Sequence, residues 1–253
     1  MLKAVWSNKG YVLLGLLAYV IVLVLTVPLN LVWEQVKPHA KGLPVTVKNM
    51  NGTLWQGQTT VFSPQVGNVQ ASWTISPMSL LAANVELDLN LTAQGVSVDS
   101  QVTVGQEIVS LSNTKAALDS AILRPMLAAS RTSLGGEFEL NNFTAAYNYK
   151  TPEVIEANGR VLFSGGDVAF PIDGKMISSR LPMIIGDITK QDKKLVLSLN
   201  TEEQASLGQG YFEPQGGWAG IAIKRRFLDV LGQQWPGKAD EDDVIFEVSE
   251  KVL

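Results

Sequence analysis

The feature that most constrains this chain is a two-residue rhythm. In Val85-Glu86-Leu87-Asp88-Leu89-Asn90-Leu91-Thr92, apolar and polar side chains alternate strictly. Successive residues of a strand point to opposite faces, so this segment presents Val85, Leu87, Leu89 and Leu91 on one side and polar groups on the other. The same alternation marks Val45/Val47, Val96/Val98, Val102/Val104, Phe138/Leu140, Leu195/Leu197/Leu199 and Val244/Phe246/Val248. Strands with one wet and one dry face belong to antiparallel sheets, because strands of a parallel α/β sheet are covered on both sides and read as continuous apolar runs.

Turn signals punctuate the rhythm at Asn51-Gly52, Gly67-Asn68, Gln94-Gly95, Gly135-Gly136, Asn158-Gly159, Gly165-Gly166, Asp173-Gly174 and Gly216-Gly217. Together they predict a meander of about a dozen strands. The units Gly52-Thr-Leu-Trp-Gln-Gly57 and Gly159-Arg-Val-Leu-Phe-Ser-Gly165 hint at a repeated hairpin. Only two segments of this region read as helical. Asn113 or Thr114 is placed to cap a helix through Leu118, Ala121 and Ile122 that ends where Arg124 precedes Pro125. A second covers Arg225 to Gly232, with Phe227, Leu228 and Leu231 on one side. With so few covering helices, the sheet must bury its dry face on itself, as a sandwich, a barrel or a curled sheet with a groove.

The N-terminus obeys a different rule. From Gly10 to Trp33 there are 24 consecutive residues without a charge. As a helix they span ~36 Å, enough for a ~30 Å hydrocarbon core with some tilt. Tyr11 and Trp33 stand at the two ends, where amphipathic rings favour the headgroup region, and Pro28 falls near the exit. A cleaved signal peptide would want an apolar stretch of ~7–15 residues followed by small residues, and Thr26-Val27-Pro28-Leu29-Asn30 offers no such site. The expectation is a retained anchor. Lys3 and Lys9 precede it but Lys37, Lys41 and Lys48 follow it, so the positive charges leave its orientation open.

Chemistry is sparse. The absence of cysteine removes disulfides, thiolate nucleophiles and Cys-based metal sites. The part after the anchor holds 18 basic and 24 acidic residues, a net charge of −6 that repels nucleic acid. The single histidine, His39, lies a few residues past the membrane exit, beside headgroups rather than in a cleft. The acidic run Asp240-Glu241-Asp242-Asp243 lacks the spaced ligands and glycine turn of a calcium loop. The glycines at 208 and 210 make no dinucleotide fingerprint, because Glu213 occupies the third position. No carboxylate pair is singled out for hydrolysis. Neither enzyme chemistry, a cofactor nor a metal is expected. The trio Lys224-Arg225-Arg226 stands at a helix start, where the dipole disfavours positive charge; it reads first as a plain exposed basic cluster, and otherwise as pairing with the acidic run or with an acidic partner.

The most informative side chains are Trp55 and Trp73, which read first as aromatic core anchors. They sit in Gly52-Thr53-Leu54-Trp55-Gln56-Gly57 and in Trp73-Thr-Ile-Ser-Pro77-Met-Ser-Leu80-Leu81. An N-terminal anchor followed by these two motifs, in this order and spacing, resembles protein N of the bacterial type II secretion system, over nearly the whole chain in length and layout. The resemblance implies a cytoplasmic head (1–9), a transmembrane anchor (10–33) and a periplasmic β domain (34–253), in a single-pass inner-membrane protein. It implies a mainly β fold: one transmembrane helix, then an elongated, curled, mostly antiparallel sheet with one or two short helices. It further implies a non-enzymatic accessory subunit for the export of folded proteins across the outer membrane. Its partners would be other secretion components, in the inner-membrane platform or the secretin. The family's relation to larger groove-shaped, AsmA-like proteins implicated in lipid traffic supplies the alternative, a periplasmic lipid-binding or lipid-transfer domain.

Overall fold

The computed structural model describes residues 19, 26–29, 46–64, 66–172 and 175–252. Sixteen strands follow one another in these segments: β1 (Thr46–Gly52), β2 (Gln56–Ser63), β3 (Gly67–Ser76), β4 (Val85–Ala93), β5 (Val96–Val104), β6 (Ile108–Asp119), β7 (Ser133–Leu134), β8 (Glu137–Asn148), β9 (Glu153–Phe163), β10 (Gly166–Ile172), β11 (Lys175–Leu181), β12 (Ile184–Gln191), β13 (Lys194–Asn200), β14 (Ser206–Glu213), β15 (Trp218–Lys224) and β16 (Val244–Lys251). Thirteen of them form one sheet in the order β1-β2-β3-β4-β5-β6-β8-β9-β12-β13-β14-β15-β16, and β11-β10-β7 form a second. All the paired strands run antiparallel, as the alternation requires.

The register carries the dry face across the large sheet without a break. One row runs Ala71–Leu91–Val98–Ala116–Leu140–Val161 and continues through Gly186, Leu199, Gly208 and Ile223 to Phe246. Because the side-chain period is two, a slip of one residue at any ladder would turn that strand's apolar set to water. The ladders are also bent. Register shifts fall between Asp99 and Gln101, around Thr114, and between Asn141 and Thr144, so three neighbouring pairings are bulged at one level. Asn113 and Asn142 take the left-handed backbone there, and Ser100 and Thr114, both buried on the dry face, share a hydrogen bond of 2.7 Å. Bulges of this kind raise local twist and coil a long sheet.

Several sequence expectations change. Asn113 and Thr114 cap no helix, because Ile108–Asp119 is one strand whose bulge uses them. The helical run starts later, with Asp119 accepting from the Ala121 amide at 2.8 Å. It proceeds through 3₁₀ turns at Ser120–Leu123 and Ala128–Ser130 around α1 (Arg124–Leu127). Pro125 opens α1 instead of ending a helix, since its missing N–H costs nothing in a first turn. The expected helix at 225–232 is α2 (Arg225–Val230), followed by Gly232 at φ +68°. Asn158-Gly159 is no turn but the middle of β9, where a side chain would strike Phe143, so the repeated hairpin is absent. Asp173-Gly174 lies outside the described residues.

The doublets Gly135-Gly136 and Gly165-Gly166 do not close hairpins either; they meet each other. There the chain passes between the large sheet and the small one, with the Gly135 amide donating to the Asp167 carbonyl at 2.8 Å. A β-carbon at Gly136 or Gly166 would overlap the facing backbone. The crossing sets β7, β10 and β11 over the ends of β8, β9 and β12. Phe163, Val168, Leu181 and Leu231 form a core cluster there, with Phe138, Phe170, Ile184, Phe227 and Leu228 against them. The rings of Phe138 and Phe163 lie 4.9 Å apart, and Ser179 Oγ donates to the Leu231 carbonyl at 2.7 Å, tying β11 to the end of α2.

Among the described residues no helix is long and apolar enough to cross a membrane. The expected head (1–9), most of the expected anchor (10–33) and His39 lie outside those residues. Within the apolar run, Tyr19 is helical, Thr26 lies in a turn and Pro28 forms an isolated antiparallel bridge with Thr53, so an unbroken helix to Trp33 is interrupted there. Proline lacks the N–H that a continuing helix would need.

Since the core is small and local, its loss should be felt strongly. Phe163→Ala should cost about 3–5 kcal/mol and Leu231→Ala about 2–5 kcal/mol, against about 0.5 kcal/mol for the exposed Ile155→Ala. Urea unfolding of the full chain in detergent micelles measures all three.

Candidate functional site

The residues singled out in the sequence fall into two groups at opposite ends of the large sheet. Gly52, Leu54, Trp55, Gly57, Trp73, Pro77, Leu80 and Leu81 gather where β1 turns into β2 and β3 leads into β4. Lys224, Arg225 and Arg226 lie at the other end, where β15 enters α2.

At the first end, a short loop is held from three directions. The Thr53 amide donates to the Gln56 carbonyl at 2.9 Å, closing the β1–β2 turn. The Leu54 carbonyl accepts from the Trp73 indole Nε1 at 3.1 Å. The Trp55 carbonyl accepts from the Ile75 amide at 2.6 Å. Both glycines of the motif have a steric reason. Gly52 sits at φ +105°, and Gly57, paired with Trp73, lies under its indole, where a β-carbon would come within 2.6 Å of Cζ2. Trp55 and Trp73 are both half-buried. The two tryptophan motifs are thus one interlocked structural unit.

Two features of this end escape sequence reading. The loop is stitched to the N-terminal apolar run: Leu54 donates its amide to the Val27 carbonyl at 3.2 Å, beside the Pro28–Thr53 bridge. Thr26, Pro28 and Asn30, which interrupt an otherwise mostly apolar run, are the local sign of that break. The second feature is the 3₁₀ turn Pro77–Ala82, pinned by Ser79. Ser79 Oγ donates to the Ser76 carbonyl at 2.6 Å and accepts from the Glu86 amide at 3.1 Å.

The other end is a charge clasp. Lys224 Nζ lies 3.1 Å from Asp242, and Arg226 reaches Asp242 at 3.0 Å and Glu241 at 3.3 Å. Arg225 pairs with Asp229 at 3.2 Å. The Arg225 and Arg226 amides donate to the carbonyls of Asp243 and Glu241 at 2.9 and 3.0 Å. The unfavourable charges at the helix start are therefore answered by the acidic run, which caps α2 with its backbone. Lys224, and after it Arg226, hold the Asp242 carboxyl below the usual aspartate range, while Asp242 raises the Arg226 guanidinium.

A cavity of about 780 Å³ lies on the wet face of β2 to β6, bordered by Gln58, Ser72, Asp88, Asn90, Asp99 and Lys115. Its polar groups engage one another: Asn90 donates to Asp99 at 2.5 Å and Asn113 to Gln101 at 2.7 Å. Among the described residues, no group of three His, Asp or Glu side chains could hold a metal ion.

Residues 44–224 match the family model for type II secretion system (T2SS), protein N. The matched span takes in both tryptophan motifs and every strand from β1 to β15, and leaves β16 outside. The chain matches no curated protein and no solved structure.

Two outcomes follow from this geometry. Gly57→Ala should cost about 1–3 kcal/mol by forcing the indole aside, and less when combined with Trp73→Phe, because the clash is then relieved; a double-mutant cycle by urea unfolding reads the difference. Asp242 has its pKa lowered in the folded state, so its contribution to stability is present above the ordinary aspartate range and lost as pH falls through the lowered value. Asp242→Asn should therefore lower the unfolding midpoint at pH 7, and the gap to the parent should close in acid and shrink in high salt.

Proposed function

The chain belongs to the type II secretion system protein N family, and from that membership we propose that it is a non-enzymatic accessory subunit of the secretion apparatus, tethered to the inner membrane by residues 10–33 with its β domain in the periplasm. The observation that carries this reading is the family match, which spans the interlocked tryptophan unit and the sheet from β1 to β15. The tether rests on the uncharged run itself. It is supported by Tyr19, which is helical and 66% exposed in the middle of that run, as a side chain facing lipid would be and one in a protein core would not. A sheet with wide faces suits a subunit that holds other components, in the platform or the secretin.

A second reading, a periplasmic lipid-binding or lipid-transfer domain, is favoured by one observation: the dry row from Ala71 to Phe246. The small sheet and α2 cover it near the ends of β8, β9 and β12. Along the rest of the row Leu91, Val98, Leu140 and Leu199 are half-buried. An acyl chain lying along such a row would remove apolar surface from water at ~25 cal/mol per Å².

Deleting the subunit from its host should leave the secreted proteins inside the envelope and strip them from the medium. Normal secretion, with no secretion component co-purifying with the full chain, would overturn the first reading. Native mass spectrometry of the full chain released from membranes tests the second, which expects bound phospholipid that Leu199→Glu removes.

A further inference from the structure

We propose that the 3₁₀ turn Pro77–Ala82 enters the headgroup layer of the membrane that holds the N-terminal run, with Met78, Leu80 and Leu81 as its lipid contacts. This rests on the reading of residues 10–33 as an anchor and adds a second point of attachment on the β domain.

The turn is built inside out. Its buried residue is a serine, Ser79 at 7% exposure, while Met78, Leu80 and Leu81 stand 71%, 46% and 82% exposed. In water this arrangement leaves large apolar side chains wet while a hydroxyl takes the interior. It is also held that way, since Ser79 bonds both to the Ser76 carbonyl and to the Glu86 amide. The Ala83 and Asn84 amides close the turn onto Leu80 and Ser79. Residues 77 to 82 carry no charge, so nothing in the turn resists leaving water.

Its position names the occupant. The Ile75 amide is bonded to the Trp55 carbonyl, and the neighbouring Leu54 amide to Val27 of the apolar run. Pro28 is bridged to Thr53. The turn therefore projects from the same end of the sheet that is fastened to the anchor, and uncharged residues continue past that fastening to Trp33. Register brings further suitable side chains to this end: Val85 pairs with Val104, and Ile108 with Asn148. Ile108 and Tyr149 there are 39% and 44% exposed. The Tyr149 hydroxyl bonds to the Gly105 carbonyl at 3.0 Å, leaving an amphipathic ring at the rim. The lipid surface is thus the first thing this end meets.

The natural absence of cysteine allows a direct test. Single-cysteine full chains L81C, M78C, L17C and M126C would carry an environment-sensitive fluorophore. Each would be placed in phosphatidylethanolamine–phosphatidylglycerol vesicles containing a lipid with a doxyl group close to the headgroup. Leu17 lies in the apolar run, and Met126, 71% exposed, sits at the opposite end of the sheet. The expected result is a shift to shorter wavelength and loss of most emission for L17C, L81C and M78C, with neither for M126C. Quenching of L17C without L81C overturns the inference and leaves the anchor standing. Quenching of neither overturns both. A wavelength shift at L81C without quenching assigns the turn to a protein partner or a second copy and overturns the lipid contact.

Discussion

A sheet of thirteen antiparallel strands satisfies its own backbone but produces a dry face wider than the small sheet and α2, the covering elements among the described residues. Everything else in the molecule answers that constraint. The small sheet and α2 cover one end of the dry face around Phe163 and Leu231. The bulges along β5, β6, β8 and β9 interrupt neighbouring ladders at one level, and the buried Ser100–Thr114 bond satisfies the two hydroxyls that lie on the apolar side there.

The two ends of the sheet solve different problems with different forces. At the α2 end, chain order has put three cations at a helix start, and the acidic run returns to supply both carboxylates and backbone carbonyls. The carboxylates of these pairs are exposed, so the pairs direct geometry more than they stabilise the fold. At the Trp55 end the forces are steric and hydrogen-bonded. The indole of Trp73 needs the missing side chain of Gly57, and its Nε1 needs the Leu54 carbonyl, so the β1–β2 turn has a fixed shape. A loop fixed in this way can hold the apolar run through Val27 and Pro28 without depending on side-chain charge.

The parts legible in the sequence were those governed by local periodicity. The alternation from Val85 to Thr92 gives β4 and its two faces directly, and Phe227, Leu228 and Leu231 give α2. Misreadings arose where a long-range contact overrode a local preference. Asn113 and Thr114 are good helix caps by type, yet the ladder to β8 and the partner hydroxyl of Ser100 take them into a bulge. Gly159 resembles a turn residue, but its lack of a side chain makes room for Phe143 in the middle of a strand. The tryptophan motifs were legible as important but not as one unit, because the Gly57–Trp73 contact joins two strands. The charge clasp could be anticipated only as an alternative to a plain exposed basic cluster, since sequence does not tell a cation's partner from its neighbour.

The two edges of the large sheet are unlike. β1 is short, bulged between Lys48 and Asn51, and twisted by Asn49 at φ +47°, features that blunt an edge. β16 carries the dry row to its end with Val244, Phe246 and Val248 about half exposed, and it lies beyond the residues that match the family. The dry face therefore does not stop where the family's shared span stops. A closed core would taper to small or polar residues before its last strand, whereas here the largest apolar side chain of the row, Phe246, stands on that strand. The row is thus organised along its length rather than around a centre, as a surface that runs from β3 toward β16.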